Sequence, residues 1–160
     1  MKKNQKQKQN KGLGLLELLV VIAIISFALT SLVGLGNYAL RISHNLKQNI
    51  IATNLASETI EAVKAMKNES WNNLSSLNLE TSYYPAQSGQ KWIAAPGAET
   101  INGLTRQFVL SRVFRDTNDD IAPSGNLDPE TKKIIATVSW IEKGKSEQIS
   151  LTAYLTNWKP

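Results

Sequence analysis

Gly12-Leu13-Gly14-Leu15-Leu16-Glu17-Leu18-Leu19-Val20-Val21-Ile22-Ala23-Ile24-Ile25 decides how this 160-residue chain is read. Before it lies a leader whose charged residues are all lysines, at 2, 3, 6, 8 and 11. After it the apolar run continues, and Leu18 to Leu35 contains no charged residue. Those residues at about 1.5 Å each approach the thickness of a bilayer's hydrocarbon core. One carboxylate, Glu17, sits at the front of the run. A charge at the edge of a membrane span is costly, so it marks a functional residue by default.

The order of basic leader, glycine, apolar residue, glutamate and long apolar run resembles the type IV pilin and pseudopilin family. By that resemblance the chain is cut between Gly12 and Leu13, Leu13 becomes the first mature residue, and Glu17 the fifth. The resemblance implies cleavage and N-methylation of Leu13 by a membrane prepilin peptidase. It further implies assembly with other pilin or pseudopilin subunits on an inner-membrane platform. Family members usually begin with Phe or Met, and here Leu13 stands at that position, with Gly14-Leu15-Leu16 in place of the common Thr-Leu-Ile.

Charge supports treating the leader as a separate part. The chain has 18 Lys+Arg against 13 Asp+Glu. The five leader lysines account for the whole excess, so the sequence after the cut is near neutral. A high pI that lies in a removable tail is weak support for nucleic-acid binding. The lysines instead predict topology: residues 1–12 stay in the cytoplasm and the C-terminal part is sent outward. An ordinary secretory signal would share the basic and apolar regions, but Glu17 intrudes and no good A-x-A site follows. A plain signal anchor explains everything except Glu17.

Beyond the span, Ile42, Leu46, Ile50, Ala56, Ile60, Val63 and Met66 recur at mostly helical spacing. Arg41, Lys47, Gln48, Asn54, Glu58, Glu61 and Lys64 form the other face, and no proline occurs before Pro85. The expectation is one helix from about Leu15 to Lys67, roughly 75–80 Å long. Its membrane and assembly half covers residues 13–40 and its amphipathic half residues 41–68. Residues 69–104 read as a variable loop region rich in Asn, Ser, Gly and Pro. Short strand-like pieces are expected near Tyr83-Tyr84 and Lys91-Trp92-Ile93.

From 105 to 160 the period changes to two. Strands are expected around Thr105–Arg115, around Ile134–Trp140 and around Ile149–Leu155, the last two joined by a hairpin at Lys143-Gly144-Lys145. The fold class is therefore α+β: a long N-terminal helix packed on a small C-terminal antiparallel sheet, which is also the pilin architecture. Cysteine is absent, so stability rests on packing or assembly rather than disulfides.

Cleavage would free an amine on Leu13, four residues from Glu17. Glu17 of one subunit then pairs with the Leu13 amine of a neighbour, which lowers the cost of holding each charge alone in lipid. A pairing within one chain is the competing reading. Gly34 and Gly36 weaken the helix by up to about 1 kcal/mol each. They are read either as a point of flexibility during assembly or as close packing between helices.

Catalysis is not expected. His44 lies on the amphipathic helix, and no cysteine exists to pair with it. Asp116, Asn118 and Asp120 match the first three positions of a calcium loop, but Ile121 replaces the required glycine and Leu127 the glutamate. No cofactor is expected, with Ca2+ kept as a candidate for that loop.

Two function classes follow. One is a structural subunit, minor rather than major on its stalk residues 56–64 and closing Tyr154-Leu155-Thr156-Asn157-Trp158, of a pilus or pseudopilus. The other is a ligand-binding protein on the same anchor, such as a tip adhesin or DNA receptor. Arg106, Arg112 and Arg115 near Phe108 and Phe114 would form a basic stripe for DNA, but the acidic run at Asp116, Asp119 and Asp120 counts against nucleic acid.

Overall fold

A computed structural model describes residues 11–158, with side chains from residue 14 onward. The leader residues 1–10 lie outside the described residues, and Gly12 and Leu13 enter only as helical backbone. The chain divides into two compact units, Met1–Leu46 and Lys47–Pro160. Helix α1, Lys11–Glu69, contributes to both. It extends the expected Leu15–Lys67 by a few residues at each end. Its C-terminus closes at the Met66 carbonyl, which accepts both the Ser70 backbone amide and the Asn73 side-chain amide at 3.1 Å.

In the second unit α1 is followed by a one-turn helix α2, Asn72–Ser75, and seven described strands. They are β1 (Ser82–Ser88), β2 (Lys91–Pro96), β3 (Glu99–Ile101), β4 (Leu104–Arg115), β5 (Ile121–Ala122), β6 (Asn126–Glu142) and β7 (Lys145–Thr156). All pair antiparallel in one sheet of order β2-β1-β4-β6-β7, with β3 and β5 added to β4. The β6–β7 hairpin turns through Lys143 (φ 50°) and Gly144 (φ 79°). Positive φ at both central residues gives the turn whose twist matches its strands.

The period-two reading is visible in burial. Ile134, Ala136, Val138 and Trp140 are buried, as are Leu104, Arg106, Phe108 and Leu110. A bulge between Arg112 and Val113 then shifts the register, which returns Val113 to the buried face three residues after Leu110. From α1 the buried residues are Ala52, Ala56, Thr59, Ile60, Ala62, Val63 and Met66, a face built on a four-three spacing. Small and large residues complement each other, with Ala52 and Ala56 clustering with Leu104, Val138 and Trp140. Val63 and Met66 cluster with Phe108, Leu110 and Ile134.

Two boundaries differ from expectation. The buried helix face starts at Ala52, while Ile42, Leu46 and Ile50 are exposed. Helical period identified those three as one stripe but could not say what covers it. Within residues 69–104, read as a loop region, β1 and β2 lie where strand-like pieces were expected near Tyr83-Tyr84 and Lys91-Trp92-Ile93, whereas α2 and β3 were not expected. The turn-rich composition is real, but the turns are tight ones between short strands. Tyr83 and Pro85 are buried within β1, where proline is accommodated near the sheet's edge.

Candidate functional site

The candidate site is the first part of α1. Every described side chain from residue 14 to 47 is exposed, and its most apolar 18-residue window has a mean hydropathy of 2.7. Among the described residues this is the one helix long and apolar enough to cross a membrane. Leaving a Leu, Ile or Phe side chain in water forgoes about 1.5–3 kcal/mol each. More than a dozen such residues need lipid or protein around them.

The polar atoms of this segment fit such surroundings. Thr30 Oγ1 donates to the Ser26 carbonyl at 2.8 Å, and Ser31 Oγ donates to the Phe27 carbonyl at 2.9 Å. These hydroxyls are satisfied by their own helix, so they add no unpaired group to an apolar medium. Glu17 is different. Among the described residues no cation lies within ion-pair distance of it. The helix places it one turn beyond Leu13.

Gly34 and Gly36 lie in unbroken helix. A methyl group added at either, or at Gly14, would meet no atom within 4 Å. Among the described residues, no contact beyond their own turn of helix requires them. Being two residues apart, they point to opposite sides of the helix rather than forming one stripe. His44 is exposed on the same helix.

In the second unit the proposed basic stripe is dispersed. Arg106 is buried on the inner face of β4. Its Nη1 lies 2.9 Å from Glu58 Oε1 of α1 and its Nη2 2.7 Å from Glu99 Oε2 of β3. Arg115 Nε donates to Asp128 Oδ2 at 2.7 Å and its Nη1 to the Asp119 carbonyl at 2.7 Å. The hydrogen bond from Arg115 is the main cause holding Asp128 below the usual carboxylate range, and the same bond raises Arg115. Of the three arginines, only Arg112 is left exposed.

The calcium-like loop is closed by its own backbone. Asp116 Oδ1 accepts from the Asn118 and Asp120 amides at 2.8 and 3.0 Å, and the Asp116 amide donates to the Asp120 carbonyl at 2.9 Å. Among the described residues no group of three or more His, Cys, Asp or Glu side chains is placed to hold a metal. Gly125, just beyond the loop, has φ 143°, and a Cβ there would sit 2.2 Å from the Arg115 carbonyl oxygen.

Sequence reading missed the role of Arg106. The signal was present in the alternation Leu104, Arg106, Phe108, Leu110, where an arginine takes an inward position and therefore needs acids.

Residues 7–33 match the family model described as the prokaryotic N-terminal methylation motif. Comparison with curated proteins and with solved structures gives no match. The motif covers the end of the leader, the Gly12-Leu13 bond, Glu17 and most of the apolar run. This chain carries the N-terminal signal of type IV pilins and pseudopilins on a pilin-like α+β fold.

Proposed function

We propose that the chain is a minor structural subunit of a type IV pilus or related pseudopilus. Prepilin peptidase cuts it between Gly12 and Leu13 and methylates the new amine. It then leaves the membrane platform by packing its N-terminal helix against other subunits. The observation that carries this reading is the methylation motif in register with Glu17 on an exposed apolar helix. In the membrane the N-terminus faces the cytoplasm and the sheet domain lies outside. In the filament, Glu17 of an arriving subunit pairs with the Leu13 amine of one already in place.

Energetics favour that pairing. Each charge alone in hydrocarbon costs several kcal/mol, roughly, and the pair recovers much of it at one axial register. The aliphatic contacts around it supply association without selecting a register.

A DNA-receptor role on the same anchor finds less support, because ion pairs with acids inside the domain take up Arg106 and Arg115. The deciding experiment is mass spectrometry of the native N-terminus. N-methyl-leucine at Leu13 is expected. An intact lysine-rich leader on the working protein, or trimming beyond residue 40 to a soluble form, would overturn the proposal.

A further inference from the structure

At the end of α1, where the chain enters α2 and the residues that follow β7 pass by, the second unit holds a half-open cavity of about 710 Å³. Small-molecule sites typically span roughly 300–1,000 Å³. Two indoles line it, Trp71 and Trp158, together with Lys67, Asn68, Asn72 and Asn157. Trp71 packs against the main core, so one of its sides is fixed. Trp158 is 72% exposed and has no core to explain it. The residue before it is held in place: the Asn157 amide nitrogen donates to the Glu130 carbonyl at 2.8 Å, and Nδ2 donates to Glu130 Oε2 at 2.6 Å.

Glu69 and Ser70 also line the recess, but Glu69 is paired with Lys91 and the Ser70 Oγ accepts from the Asn72 amide nitrogen at 3.3 Å. Among the described residues, the side chains of Lys67, Asn68 and Asn72 make no hydrogen bond or ion pair. Among the described residues the recess thus offers two tryptophans, side-chain amides, the ammonium of Lys67 and the Glu69 carboxylate, which Lys91 already neutralises. An apolar ligand would leave those amides unpaired at a cost. A phosphate-rich ligand would call for more cations than one. A sugar ring has C–H-lined faces for indoles and peripheral hydroxyls for amides.

We infer that this recess is a binding site for a neutral oligosaccharide. All of its lining residues belong to the unit Lys47–Pro160, so the inference stands apart from how the N-terminal helix is processed or assembled.

The test uses the full chain in amine-oxide micelles, because glycoside detergents would compete. Chitotetraose, cellotetraose and maltotetraose are titrated while indole fluorescence is followed. At least one is expected to bind with a Kd of roughly 0.1–1 mM. Trp158→Ala should weaken that binding by about tenfold or more, and Asn68→Ala by a smaller factor, with unchanged thermal melting because both side chains are exposed. Trp92→Phe, which lies outside the recess, should bind as wild type does. The inference is overturned if none of the three sugars binds at about 10 mM, or if Trp158→Ala binds the sugar as tightly as wild type.

Discussion

Arg106 of β4 and Glu58 of α1 meet at 2.9 Å across the helix–sheet interface. The guanidinium is nearly sealed from solvent, at 6% exposure, whereas the Glu58 side chain is 55% exposed. Asymmetry of this kind sets the cost of removing either partner. A lone carboxylate can be rehydrated, but a lone buried guanidinium cannot. Glu58→Gln together with Glu99→Gln should therefore destabilise the domain by about 2–4 kcal/mol, more than the two single changes added together. Denaturant melts of the four proteins in a double-mutant cycle read this directly, and strict additivity would contradict it.

Gly125 cannot be replaced. Its φ of 143° and the 2.2 Å approach of the Arg115 carbonyl to any Cβ leave no room for alanine without moving backbone. Gly125→Ala should cost about 2 kcal/mol or more, seen as a lowered melting temperature. Gly97→Ala, which meets no atom within 4 Å but also has positive φ, should cost about 1 kcal/mol.

The Arg115–Asp128 pair predicts a pH dependence. Asp128 has an ordinary value of 3.8, and its hydrogen bond from Arg115 lowers it in the folded state. Its contribution is therefore complete above pH 3.8 and is lost as pH falls through the lower folded value. Asp128→Asn should be less stable than wild type at neutral pH, with the gap closing below that point. Thermal melts across the acid range would show it, and a gap that stays constant would refute the linkage.

Calcium should matter little. The Asp116 carboxylate already accepts two backbone amides, and Arg115 lies 3.7 Å from Asp119 as a counter-charge. Adding about 1 mM Ca2+, or chelating it, should shift the melting temperature by less than about 1 °C, since ligand stabilisation scales with occupancy of the folded state. A larger rise would place a cation in the loop.

Processing and assembly should separate genetically. Gly12→Val is expected to leave the unprocessed precursor. Glu17→Val should be cut and methylated normally yet enter filaments poorly, because the apolar contacts persist while the proposed partner of the Leu13 amine is gone. Immunoblots of membrane and sheared-filament fractions distinguish the two.

Much of this was legible in the chain. Ile134, Ala136, Val138 and Trp140 announced a half-buried strand, and each proved buried, because period two leaves little choice of face. The N-terminal motif was equally plain, since the order of basic leader, Gly12, Glu17 and long apolar run is what the methylation-motif model matches over residues 7–33. In 82–101, β1 and β2 were legible only as short pieces and β3 not at all, because Pro85 sits inside β1 and β3 is three residues long. The span of the helix covered by the sheet was hidden for a different reason. Ile50 and Ala52 both belong to an apolar-rich helix, and only the sheet's position decides which is buried.

Among the described residues the sheet ends in β7, which pairs with β6 alone and carries no charge or proline from Gln148 to Thr156. A rim of open amides and carbonyls on such a strand is a template for another extended chain. Head fragments cut free of their anchor and concentrated would stitch together along this rim, so a single lysine at Thr152 would be a sensible safeguard for anyone handling them.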